Sequence, residues 1–252
     1  MDRILYTAMS GASQSLKQQE VVSHNLANVD TVGFRAQLHA MRAVPVQGEA
    51  AHATRASVVA STPGADFTQG PLMRTDRELD VAVGEEGWIA VQAPDGTEAY
   101  TRRGDLQIDA DGLLTVTGLP VMGEGGPIIL PLEAQVSVGE DGTLSAIGPG
   151  QGPEALVDAG RIKLVEAGPG ELQRGDDGLF RAPPDEEGVV PALPQAEEMR
   201  LASGGLEGSN VSPVEAMVSM IDVARRYDMQ MKVISTADEN AQRANGLLSL
   251  QG

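Results

Sequence analysis

Residues 212–248 read SPVEAMVSMIDVARRYDMQMKVISTADENAQRANGLL, and the first four form a helix start. The Ser212 hydroxyl and the Glu215 carboxylate can each satisfy an orphan backbone N–H, and Pro213 falls at the first helical position, where its missing N–H is not needed. From there Met217, Met220, Ala224, Tyr227, Met231, Ile234, Asp238, Ala241, Asn245 and Leu248 alternate spacings of three and four, which predicts one packing face of a long helix. The row is rich in methionine, which adapts to irregular neighbours. Asp238 and Asn245 interrupt it with polar groups. They would either set the register of neighbouring helices or lie exposed. A helix of this length is more than a small domain can cover, so it calls for partners.

A second row stands at the other end of the chain. Within a helix expected from about Asp2 to Asn28, residues Leu5, Ala8, Ala12, Ser15, Gln19, Val22, Leu26 and Val29 repeat the three-four spacing. The seam is weak, because small side chains bury little area and Ser15 and Gln19 are polar.

Helix breakers are expelled from both ends. All 15 prolines lie between residues 45 and 213, and 22 of the 30 glycines fall within residues 84–205. Between the helices, Trp88–Gln92 and Glu98–Thr101 flank Pro94-Asp95-Gly96, a hairpin signal. Leu106–Ile108 and Leu113–Thr117 flank Asp109–Gly112, Gln135–Val138 and Thr143–Ala146 flank Gly139–Gly142, and Arg161–Val165 adds a strand. Short strands at regular spacing predict an α+β chain: terminal helices paired as a coiled-coil-like domain, with a central antiparallel β barrel or sandwich. The expected divisions are residues 1–35 with 206–252 as a discontinuous helical assembly domain, 36–79 as an extended connector, 80–182 as the β-rich outer domain and 183–205 as a return linker.

Net charge is −18, unevenly spread: residues 1–35 are neutral, 205–252 carry −2 and the middle carries −16. Nearly neutral ends can approach one another, while an acidic middle stays solvated and repels nucleic-acid phosphates and anionic membranes. Arg102-Arg103 and Arg225-Arg226 are isolated basic pairs. No apolar run approaches the ~18 residues that span a bilayer, and the N-terminus lacks the basic and apolar regions of a cleaved secretory signal.

Catalytic and metal chemistry lacks its usual residues. With no cysteine in the chain, thiolate sites are excluded. His24, His39 and His52 have no second ligand at helical spacing. Asp109-Ala110-Asp111-Gly112 resembles part of a calcium loop, but alignment on the glycine puts Gln107 and Gly118 where carboxylates are required. Neither phosphate-binding glycine loop nor nucleophile elbow is present. No catalytic residue, metal or cofactor is expected. A secreted carbohydrate-binding module would need an aromatic cluster, and the chain has seven aromatic residues in all.

The segment Ser23-His24-Asn25-Leu26-Ala27-Asn28-Val29-Asp30-Thr31-Val32-Gly33-Phe34-Arg35 resembles the N-terminal motif of bacterial flagellar axial proteins. Leu206-Glu207-Gly208-Ser209-Asn210-Val211, followed by Val214-Glu215-Ala216-Met217, resembles their C-terminal motif. Leu79–Val83, Gly87–Val91 and Tyr100–Gly104 resemble the β domain of the rod subunits. The likeness covers essentially the whole chain. It fits proximal-rod subunits best and distal-rod subunits next, without the large insertion of a hook protein.

The resemblance implies a structural subunit that leaves the cell through the flagellar type III export apparatus without a cleaved signal. It would polymerise with copies of itself and other rod subunits into a periplasmic shaft that transmits torque, its helices lining the inner tube. It also implies that Asn25, Leu26, Asn28, Thr31, Gly33 and Phe34 shape the end of the first helix and the turn beyond it. Asn28 or Gly33 could supply a left-handed backbone there and Phe34 an apolar anchor.

Overall fold

A computed structural model describes residues 2–45, 56–84, 86–148 and 150–249. Helix α1 spans Asp2–Ala27 and helix α2 spans Pro213–Ser249, close to the ends read from the breaker-free segments. At the α2 start the Glu215 N–H donates to Ser212 Oγ (3.4 Å), the serine half of the expected capping box, and the Ala216 N–H donates to Ser212 O (3.0 Å).

The chain divides into two compact units. One comprises Met1–Ala27, Gln37–Pro63 and Ser212–Gly252; the other comprises Asn28–Ala36 and Gly64–Val211. These divisions differ from the expected ones. The end of the N-terminal motif and the start of the C-terminal motif belong to the β-rich unit. Gln37–Pro45 and Ala56–Ala65, expected as an irregular connector, are strands that pair into a two-stranded sheet. Their sequences lack the apolar-polar alternation by which a strand is read.

In the helical unit α1 and α2 run antiparallel. Ser15 Oγ donates to Gln230 Oε1 (3.3 Å), and one turn further along α1 Gln18 Oε1 accepts from Arg226 Nη1 (3.5 Å), so partner numbers fall as α1 rises. Asn25 closes the pairing at the base of α1, its amide donating to Gln37 O (3.0 Å) and its carbonyl accepting from the Gln37 N–H (2.8 Å).

The β-rich unit is built on a five-stranded antiparallel sheet in the order Leu164–Glu166, Gly87–Gln92, Glu98–Thr101, Phe180–Arg181, Gln173–Arg174. The second strand, Gly87–Gln92, is buried on both faces, which is why Trp88-Ile89-Ala90-Val91 reads as a continuous apolar run. Ile89 and Val91 point into the main core with Val81, Leu106, Leu114, Val121, Leu144 and Ile162. Trp88 and Ala90 point to a smaller core with Tyr100, Val165 and Phe180. There Trp88 donates to Ala167 O (3.1 Å), its ring 4.6 Å from that of Phe180 and 5.6 Å from that of Phe67. Three-stranded sheets from Gln107–Pro120 and Gln135–Arg161 enclose the main core. Among the described residues no sheet closes into a barrel. The expected Arg161–Val165 strand is two strands, Val157–Arg161 and Leu164–Glu166, belonging to different sheets.

Much of the acidic charge of this unit works in its turns. Carboxylates of Asp95, Asp109, Asp141 and Asp177 accept from the N–H two residues on (2.9–3.1 Å). The Thr97 and Thr143 hydroxyls donate to Asp95 and Asp141 and hold those carboxyls below their ordinary range, and Arg181 does the same for Asp177. Asp109 Oδ1 accepts from both Asp111 and Leu113 N–H, closing the turn.

Candidate assembly site

In the helical unit, α1 packs through the row its sequence marks: Ala8, Ala12 and Ser15 are buried, with Leu5, Gln19, Val22 and Leu26 half-buried. On α2 the covered row is Ala216, Met220, Val223, Tyr227, Gln230, Ile234, Ala237, Ala241 and Ala244. Of the expected packing positions, Met220, Tyr227, Ile234 and Ala241 lie on it. Met217, Ala224, Met231, Asp238 and Asn245 are exposed, and the Leu248 side chain lies outside the described residues. Within the chain, then, α2 is turned by one residue at alternate heptad positions. The buried Ser15 hydroxyl gives the reason. It needs a polar partner, which Gln230 offers and its neighbour Met231 does not. Asp238 stays on the surface, accepting from Gln242 one turn later (2.9 Å).

That rotation leaves a second apolar stripe uncovered. Val214, Met217, Val218 and Ile221 are 54–69% exposed. At about 100° per residue they lie on the side of α2 opposite buried Val223. Tyr6, Met9 and Leu16 on α1 are exposed as well.

The β-rich unit contains the junction that joins the two terminal motifs. Gly33 has φ +65°, and a Cβ there would lie 2.5 Å from the Arg102 carbonyl carbon, so this position supplies the left-handed residue that the motif calls for. Asn28 instead uses its side chain, accepting from Thr31 Oγ1 (3.1 Å), while the Thr31 N–H donates to Asn28 O (3.2 Å). Phe34 is buried, with the Arg174 guanidinium 4.7 Å from its ring centre.

Beside them lies a buried ion cluster that sequence reasoning missed. Glu207 Oε2 accepts from Arg102 Nε (3.0 Å) and Nη2 (2.6 Å), Oε1 accepts from the Gly70 N–H (2.9 Å), and Arg35 forms a close ion pair with Oε1. All three charged side chains are enclosed. Burial pulls the Arg102 guanidinium below its ordinary range, Glu207 pushes it back and Arg35 pulls it down further. The available signal was position: Arg35 ends one terminal motif, and Glu207 stands near the start of the other.

The comparisons agree with this geometry. The family described as "Flagella basal body rod protein" matches residues 5–35, "Flagellar hook protein FlgE/F/G D1 domain" matches 82–146, and "Flagellar basal body rod FlgEFG protein C-terminal" matches 202–247. The chain is 54% identical over 251 residues to the flagellar basal-body rod protein FlgF of Salmonella typhimurium, covering 99% of this chain and all of that one. It is 53% identical, with the same coverage, to FlgF of Escherichia coli. To the flagellar basal-body rod protein FlgG of Borreliella burgdorferi it is 30% identical, over 98% of this chain and 99% of that one.

A chain with a pair of terminal helices and a β-rich unit, matched at both ends and in the middle, is a structural subunit of the flagellar basal-body rod that assembles with other rod subunits. It belongs to the family of flagellar basal-body rod proteins, on the FlgF side of it. No described helix is long and apolar enough to cross a membrane.

Proposed function

We propose that the chain polymerises through the outward apolar faces of its helix pair, against copies of itself and neighbouring rod subunits, and that the resulting shaft transmits torque in the periplasm. It works without catalysis. It reaches its place through the type III export apparatus as a partly unfolded chain. The observation that carries the reading is the stripe Val214, Met217, Val218 and Ile221, more than half exposed on a 37-residue helix whose other side is already used. An exposed row of this kind marks a protein contact.

The test is the double variant Met217→Lys, Ile221→Lys in the full-length chain. It should unfold at the same urea concentration as the parent, because neither side chain is buried. It should also fail to join fibres of concentrated parent protein and leave cells non-motile. Normal co-assembly and normal swimming would refute the reading.

A further inference from the structure

Residues 28–36 are held mainly by residues 207–210. The Gly33 N–H donates to Glu207 O (2.7 Å), the Asn210 N–H donates to Phe34 O (3.3 Å), and the Ala36 N–H donates to Asn210 Oδ1 (2.7 Å). Within 28–36, the backbone bonds are two turn contacts, Thr31 N–H to Asn28 O and Phe34 N–H to Thr31 O, both 3.2 Å. The same short C-terminal segment also gathers residues 66–70. Asn210 Nδ2 donates to Asp66 O and Thr68 O (3.0 Å each), and Glu207 takes the Gly70 N–H. A Cβ on Gly70 would lie 2.1 Å from Gly208 O, so these backbones touch with no side chain between them.

The charges make the meeting conditional. Arg35 and Arg102 are both buried, and among the described residues Glu207 is the carboxylate paired with each. Two guanidiniums cannot be enclosed side by side without that counter-charge. Glu207 comes from a segment more than 170 residues after Arg35, so the N-terminal side must wait for it.

We propose that this cluster is a two-ended clasp. Seating of residues 28–36, which continue from the base of α1, is coupled to docking of residues 205–211, which lead into α2, so that the two segments become fixed together or not at all. The device makes an ordered entry to the first helix depend on the presence of the last part of the chain.

Coupling of this kind is reciprocal, and reciprocity is what a merely local set of bonds lacks. The experiment is amide hydrogen exchange by NMR on the full-length parent, Asn210→Ala and Arg35→Met. The amides to read are Thr31 and Phe34, whose acceptors lie inside 28–36 and are untouched by Asn210→Ala, and Gly208, which donates to Pro71 O (2.8 Å) and is untouched by Arg35→Met. Asn210→Ala should speed Thr31 and Phe34 roughly tenfold or more. Arg35→Met should speed Gly208 by a similar factor, while Ala90 in the Gly87–Gln92 strand stays within about twofold of the parent. Loss of protection confined to Ala36, or the same acceleration at Ala90, would overturn the clasp. Should Arg35→Met fail to fold, Arg35→Lys keeps the charge, shortens the reach and serves the same arm.

Discussion

The β-rich unit and the helix pair treat their apolar residues in opposite ways. In the β-rich unit Val81, Ile89, Val91, Leu106, Leu114, Val121, Leu144 and Ile162 are fully enclosed, and the buried arginines Arg35 and Arg102 share the carboxylate of Glu207. In the helix pair, full burial among the described residues is limited to Ala8, Ala12, Ser15 and Val223, while Ile221 and Met217 are each 54% exposed. Helix α2 has 37 residues and α1 has 26, so at about 1.5 Å per residue α2 is longer by about 16 Å. One unit holds two enclosed cores; the other leaves an apolar row of its longer helix on the surface.

The comparison is attacked most strongly at Glu207. Glu207→Gln removes the counter-charge of two buried arginines and should lower stability by about 3–5 kcal/mol in urea unfolding. Arg35→Met leaves the Arg102–Glu207 pair balanced and should lower it by less than half as much. Equal losses would show that charge balance is not what the cluster supplies. Leu144→Ala, at the centre of the main core, is expected to lower stability by about 2–5 kcal/mol, read from the same curves. On the helix pair effects shrink. Ser15→Ala removes one hydrogen bond to Gln230 and should be worth about 1 kcal/mol, visible as loss of helical circular dichroism at lower temperature.

The smallest effect is acidic. Because the Asp95 and Asp141 carboxyls are held below their ordinary value of 3.8 in the folded chain, their contribution is present above that value. It fades as pH falls through the lower folded one. Replacing both hydroxyl donors, Thr97→Val with Thr143→Val, should therefore shrink the acid-side loss of stability below about pH 4 and leave the neutral plateau slightly lower. An unchanged acid limb would mean these turns carry no pH dependence.

Local signals made the frame legible. Proline exclusion, the Ser-Pro-x-Glu start and the three-four rows located both helices, and Asp-Gly turns located three of the hairpins. What escaped was set at a distance. The heptad row of α2 contains two adjacent candidate flanks, and the choice between Gln230 and Met231 depends on Ser15 more than two hundred residues away. Arg35, Arg102 and Glu207 are unremarkable surface-type residues until the fold encloses them. Gly33 and Phe34 could be picked out as turn and anchor from the family motif, yet their place in the β-rich unit could not. A truncation meant to spare that unit must therefore stop at Ala27, since removing residues 1–35 also takes Phe34 and Arg35.

The most direct measurement is hydrogen exchange on the full-length chain, first as free monomer and then in assembled fibres, followed by mass spectrometry of peptides from residues 2–27, 86–101 and 213–249. In the free chain the peptides covering 86–101 should be strongly protected and those of both helices weakly so, and on assembly protection should rise in the helices alone. Helices already as protected as residues 86–101 in the monomer, or a rise on assembly confined to the β-rich unit, would contradict a division between a self-sufficient body and a helix pair completed by its neighbours.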